Sequence, residues 1–226
     1  MGIYILGEEM GFPPAELAGK DGLLALEGDL SPERLLEAYR NGIFPWYNED
    51  SPILWWSPDP RMVLMPKDFK VKKSFRNTLN KNIYTTSFDT DFEGVIRACA
   101  GVERKGQEGT WITGEMIAAY SKLHKMGYGH SVETYHEGKL VGGLYGVSLG
   151  RAFFGESMFH NRQDASKTAL FRLTEKLRKW DFDFIDVQQD TSHLRSLGAR
   201  SIPRKKYLSL LKESLKNKTR KGRWTE

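Results

Sequence analysis

Around Gly127 the apolar spacing of this chain changes its period, and that change constrains the fold more than any other feature. Before it, Met116, Ile117, Tyr120 and Leu123 recur at helical spacing, with Thr113 as the N-terminal cap and Gly127 as the stop. After it, His130 to Tyr135 alternates as a strand does, Glu137-Gly138 suits a hairpin turn, and Leu140 to Val147 forms the return strand. A turn at Gly150 leads into a third strand at Ala152 to Glu156. Asp164 is then expected to cap a helix carrying Ala165, Ala169, Leu170, Leu173 and Leu177. A short strand at Phe182 to Val187, a helix from Thr191 to Leu197 and a basic helix from Pro203 to Leu215 complete the series. Hairpin strands mixed with single helices predict an α+β, mixed α/β fold.

The first part of the chain is different. Ser31 and Pro32 suit a helix start, Leu35, Leu36 and Tyr39 form its apolar stripe, and Gly42 suits its stop. The following 18 residues, FPWYNEDSPILWWSPDPR, hold three Trp and four Pro. Proline removes a backbone donor and fixes φ, so no long helix forms there; an ordered aromatic loop is expected. Residues 67–81 read as a basic turn or short helix, and Asp91 to Ala100 as a helix. The expected division is a small N-terminal α/β domain at 1–62 and a larger domain at 63–226.

Several function classes are excluded early. With 226 residues, 39% of them hydrophobic, the chain can bury a sizeable core. Its most apolar stretch, Leu140 to Phe154, holds four glycines and Arg151 and falls short of the ~18 residues a membrane span needs. The N-terminus has no basic region and no small-residue cleavage site, and Leu6 stands where myristoylation needs Ser or Thr. A cytoplasmic protein with no membrane partner is expected. A single cysteine, Cys99, excludes an intrachain disulfide and a cysteine-cage zinc site, and no histidine sits in HExxH spacing, so no metal is expected. No phosphate-binding glycine motif is present. Gly155-Glu156-Ser157-Met158-Phe159 half-matches a nucleophile elbow, but Phe159 replaces the second glycine.

Charge points toward a polyanion. From Arg200 to Glu226 ten basic residues face two acids, and Lys67, Lys70, Lys72, Lys73, Arg76 and Lys81 are opposed only by Asp68. Such patches suit nucleic acid, although solvated surfaces are often basic too.

Five segments carry a resemblance. They are Gly22-Leu23-Leu24-Ala25, Gly28-Asp29-Leu30-Ser31-Pro32, Gly42-Ile43-Phe44-Pro45-Trp46 with Pro52 to Arg61, Gly109-Thr110-Trp111-Ile112-Thr113, and the GESMF segment with Ala165-Ser166-Lys167 behind it. From about residue 12 to residue 211 the chain resembles the bacterial leucyl/phenylalanyl-tRNA–protein transferases. The resemblance implies an enzyme that moves Leu or Phe from the 3′ end of tRNA to a protein beginning with Lys or Arg, marking it for degradation. It implies a larger domain resembling the GNAT acyltransferases, with no metal, acetyl-CoA or other cofactor. The family's aminoacyl pocket falls on Trp46, Trp111, Leu144, Glu156, Ser157 and Leu173, and its proposed catalytic pair on Asp186 and Gln188. Lys67, Lys70, Lys72, Lys73 and Arg76 become the expected tRNA contacts, and the expected state is a monomer. An apolar pocket separates side chains differing by one methylene by only ~1–3 kcal/mol, so Met is expected to leak in.

Residue by residue, blander readings compete. Trp46 and Trp111 suit a core, Asp186 can cap the helix near Thr191, and Glu156 can pair with Lys167. Glu156 can equally meet the acceptor's cation or the amine of the aminoacyl group. His130 and His193 suit hydrogen-bonded structural roles. Two other functions compete as well: a CoA-dependent N-acyltransferase and a non-enzymatic RNA-binding module. The first wants a glycine-bearing pyrophosphate loop where His160-Asn161-Arg162-Gln163-Asp164 stands. The second wants aromatics spread over a basic sheet.

Overall fold

The computed structural model describes residues 3–102 and 112–225. The chain runs through β1 (Tyr4–Leu6), β2 (Leu23–Glu27), α1 (Pro32–Arg40), β3 (Phe44–Pro45) and β4 (Leu54–Trp56). It continues through β5 (Arg61–Leu64), α2 (Lys73–Asn80), β6 (Thr85–Phe88), α3 (Phe92–Ala100) and α4 (Gly114–Lys125). Then come β7 (Gly129–His136), β8 (Lys139–Leu149), β9 (Ala152–His160), α5 (Ala165–Lys179), β10 (Phe184–Gln188), α6 (Ser192–Ser196), β11 (Arg200–Ile202) and α7 (Arg204–Leu215). The four strands before Ser57 form one sheet in the order β1-β2-β4-β3, and the rest form a seven-stranded sheet ordered β11-β5-β10-β9-β8-β7-β6. This is the mixed α/β architecture that the change of period foretells.

Local chemistry sets most boundaries. The side chains of Ser31, Thr113 and Thr191 accept hydrogen bonds from the amides of Arg34, Met116 and Leu194, so each caps its helix, Ser31 and Thr113 as expected. Asp164 does not. It sits at φ 63°, and its carboxylate instead takes Lys167 Nζ at 2.6 Å and Thr78 Oγ1 at 2.8 Å, tying α2 to the start of α5. The Trp/Pro-rich segment is also more regular than a loop. Pro45 is tolerated because β3 is an edge strand that asks nothing of its missing donor. Strands β1, β5, β6 and β11 escape the sequence reading because three or four residues are too few to show a period, and the five-residue β2 escapes it as well.

Each face of the large sheet covers a core. α5 packs over Leu64, Leu144, Phe153 and Ile185, while α1, α3, α4 and α7 cover Val63, Phe154 and Phe184 on the other face. The C-terminal residues cross back over this body, and Trp224 is 2% exposed.

One buried cluster joins the two sheets. The Arg61 guanidinium donates to both carboxylate oxygens of Asp186, Nε to Oδ1 at 2.9 Å and Nη2 to Oδ2 at 2.7 Å. The Tyr207 hydroxyl donates to Oδ2 at 2.7 Å, and Arg61 Nη1 donates to the Gly42 carbonyl at 3.2 Å. The guanidinium lies 4.6 Å from the ring centres of both Phe44 and Tyr207. Burial works against its charge, but Asp186 more than offsets this, so its pKa is raised. Removing one partner of a buried pair strands the other charge, which costs about 3–5 kcal/mol. Arg61→Ala is therefore expected to lower the unfolding free energy by that amount in urea titration; a loss below about 1 kcal/mol contradicts it.

Candidate functional site

The site forms where two neighbouring strands part. β9 and β10 are parallel, and they pair only at Ala152–Phe184, Phe153–Ile185 and Phe154–Asp186. Beyond that point β10 shifts register against β5, and Gln188 adopts φ 61°. A left-handed, non-glycine residue is a strained conformation of the kind that collects at functional sites. Its amide is held by Asp186 Oδ1 at 2.9 Å, and its side chain reaches across the split to donate to Glu156 Oε1 at 2.9 Å.

A cavity of about 270 Å³ opens at this split, between the sheet and helices α5 and α6. Leu144, Phe153, Leu170, Leu173 and Ile185 supply apolar walls, and Glu156 stands among them. Four of the expected pocket residues, Leu144, Glu156, Ser157 and Leu173, thus line one space. Trp46 does not. It is half-buried in the small unit, its ring centre 5.7 Å from that of Trp56. Trp111 lies outside the described residues.

Glu156 is the site's titratable centre. It is 8% exposed. Tyr120 donates to its Oε2 at 2.9 Å, and the Tyr39 and Tyr120 hydroxyls lie 2.5 Å apart. Burial pushes the Glu156 carboxyl up, the tyrosines and Gln188 oppose this, and the nearby Asp186 charge adds to the rise; the result is a pKa of about 7. Both phenols are themselves raised well above their usual range, by burial first and by Glu156 next, so they stay protonated as donors.

Asp186 is differently occupied. It is fully buried, and its two oxygens accept from Arg61 twice, from Tyr207 and from the Gln188 amide. It caps no helix; Thr191 does that. Glu156 does not meet Lys167, which pairs with Asp164. His193 sits at the cavity wall, its pKa lowered by burial and by the charges of Lys167 and His160. His130 is buried and bonded through Nδ1 to Asp89 at 2.9 Å, the structural role expected of it.

Lys67, Lys70, Lys72, Lys73 and Arg76 are all exposed, on α2 and the turn before it. Phe75 is buried beneath them against Phe69 and Phe171. Among the described residues no group of three or more His, Cys, Asp or Glu side chains is placed to hold a metal, and no helix is long and apolar enough to cross a membrane. The sequence does not mark Arg61, Tyr39, Tyr120, Phe153 and Ile185 as site residues. The tyrosines sit in ordinary helical stripes, and only the fold brings Tyr39 and Tyr120 together.

A mixed sheet whose split strands flank an apolar cavity with a buried carboxyl, its pKa about 7, can hold an apolar group beside a proton-exchanging acid. Comparisons with known proteins identify the family. The family model described as leucyl/phenylalanyl-tRNA protein transferase matches residues 63–212, and that of its N-terminal domain residues 28–59. The chain belongs to the leucyl/phenylalanyl-tRNA protein transferase family. A relative of that name from Syntrophobacter fumaroxidans is 56% identical over 95% of this chain and 92% of its own. Another, from Myxococcus xanthus, is 54% identical over 100% and 97%. Among solved structures, an aminoglycoside acetyltransferase from an uncultured soil metagenomic sample aligns over 51% of this chain and 84% of its own, with 19% identity and a TM-score of 0.39. The L-PGS structure from Bacillus licheniformis covers 60% and 48%, with 11% identity and a TM-score of 0.37. These two structural likenesses are too weak to bear on the fold.

The tyrosine donor has a measurable effect. Tyr120→Phe removes a hydrogen bond that favours the ionised form of Glu156. Its titration, followed by carboxyl-carbon NMR, is expected to move above pH 7; an unchanged or lower midpoint contradicts the assignment.

Proposed function

We propose that this chain moves Leu or Phe from the 3′ end of aminoacyl-tRNA to the α-amine of a protein beginning with Lys or Arg, and so marks that protein for degradation. Family membership supports the reaction class. The observation that carries the chemistry is Glu156, a carboxyl with a pKa of about 7 at the edge of an apolar cavity.

The aminoacyl side chain enters the cavity against Leu144, Phe153 and Leu173. The ester is already activated, so no nucleotide is consumed, and holding the reactants together can supply up to about 7–11 kcal/mol of the barrier. Glu156, ionised above about pH 7, takes a proton from the acceptor's ammonium. The neutral nitrogen attacks the ester carbonyl; its second proton passes to the ribose 3′ oxygen as the C–O bond breaks. A base near pKa 7 suits this step better than Asp186, whose oxygens are filled by four donors. Asp186 and Gln188 act as a positioning couple: Asp186 fixes the Gln188 backbone, and Gln188 holds Glu156 while its second amide hydrogen is available to the oxyanion. Trp46 and Trp111 are placed with the aminoacyl end on the strength of the family resemblance alone.

The nucleic-acid side follows charge. Residues 1–60 hold eleven acidic and three basic side chains, so the basic excess lies wholly in the remainder. Lys67, Lys70, Lys72, Lys73 and Arg76 form an exposed row that suits the tRNA backbone.

Purified protein, Leu-tRNA and a substrate beginning with Arg are expected to give transfer without ATP or CoA. Failure with both Leu-tRNA and Phe-tRNA overturns the proposal. Glu156→Gln is expected to lower kcat by about 10²-fold or more. In the unsubstituted protein the rate falls as pH drops through about 7, because protonation removes the base; the variant loses that limb. Replacing Lys72, Lys73 and Arg76 by Ala is expected to flatten the dependence of log K on log salt by roughly one unit per lost phosphate contact. An unchanged slope removes that row from the footprint.

A further inference from the structure

Phe153 lines the cavity, and Trp224 backs it. The two ring centres lie 5.9 Å apart at 43°. Trp224 takes no part in the cavity wall itself, and it lies beyond residue 212, where the match to the family model ends. It belongs to the strap of residues 216–225 that follows α7 and crosses the body.

The indole is held on every side. It stacks on His130 with centres 3.7 Å apart and planes 13° from parallel. Trp180 meets it edge-on at 5.1 Å and Phe182 at 5.9 Å. Its backbone amide donates to Asp89 Oδ2 at 2.7 Å, and its carbonyl accepts Lys176 Nζ at 2.7 Å. Asp89 also holds His130, so one buried carboxylate fixes both the stacking partner and the strap. Gly127 makes the crossing possible: it adopts φ 80°, and a Cβ there would collide with the backbone nitrogen of Gly222, which donates to the Gly127 carbonyl at 3.2 Å. Interiors are close-packed, so a wall ring keeps its place only if something solid stands behind it.

We propose that Trp224 is a positioning residue for substrate selection: the C-terminal strap fixes Phe153 and thereby sets how large an apolar side chain the cavity accepts. This rests on the reading that the cavity holds the aminoacyl side chain. With the indole in place Phe153 cannot recede, and the space stays small. With a smaller side chain at 224, Phe153 gains room to tilt outward, and the cavity lengthens in that direction.

The test compares kcat/KM for Leu-tRNA and Phe-tRNA on an Arg-initiated acceptor. Trp224→Leu is expected to raise the Phe/Leu ratio by about tenfold, the scale on which hydrophobic pockets discriminate, and to act through KM more than kcat. Trp224→Phe, which keeps an aromatic ring, is expected to stay within about threefold of the unsubstituted ratio. In a Phe153→Leu background, Trp224→Phe and Trp224→Leu are expected to leave the ratio unchanged, because the ring they act through is gone. Equal losses on both substrates for Trp224→Leu make the strap a stability element only and overturn the proposal. If Trp224→Leu does not fold, Trp224→Met carries the same expectation: a roughly tenfold rise in the Phe/Leu ratio that disappears in the Phe153→Leu background supports the proposal, and an unchanged ratio, or a shift that persists without Phe153, overturns it. Absence of transfer by the unsubstituted protein refutes the functional reading instead, so the two failures are distinguishable.

Discussion

The buried pair of Arg61 and Asp186 is the interaction on which the rest of the structure depends. A guanidinium and a carboxylate survive away from water only with all their bonds satisfied. Here Gly42, Tyr207 and the Gln188 amide complete the set. Those partners come from the small sheet's side, from α7 and from β10. Satisfying one charge pair therefore fixes the seam between the sheets, the last helix, and the backbone of the residue that reaches into the site.

The same pair shapes the chemistry. By consuming Asp186, it leaves Glu156, held by the neutral donors Tyr120 and Gln188, as the carboxyl that lines the cavity. By adding a nearby negative charge, Asp186 helps to hold Glu156 near neutrality. Two acids a few residues from a common split thus have opposed environments: one ion-paired and permanently occupied, the other desolvated and able to exchange a proton. That division of labour arises from which cation each can reach.

Much of this was legible in the sequence, for identifiable reasons. Helices α1, α3, α4 and α7 and the β7–β8 hairpin announce themselves through caps, glycine stops and long periodic faces. The cavity residues Leu144, Glu156, Ser157 and Leu173 follow from the motif resemblance and do meet around one space. What the sequence hid were pairings between distant positions. Nothing local in Tyr39 or Tyr120 distinguishes a hydroxyl that supports a carboxyl from a core aromatic. Nothing near Arg61 reveals a partner 125 residues away. Asp164 looked like a cap because Asp before an apolar helix usually is one; Lys167 and Thr78 offered its carboxylate better bonds. The short edge strands carry too few residues to show alternation.

The hydrogen bonds around Glu156 link residues 32, 36 and 81 positions apart along the chain. Contacts of such separation form late, after the entropy of closing long loops has been met. A partly folded molecule would have its helices and its hairpin but an ordinary, solvated glutamate at 156, ionised like any surface acid. The raised pKa of Glu156 is thus a property of the completed topology, so on the proposed reading the proton acceptor exists only when the whole chain has found its place.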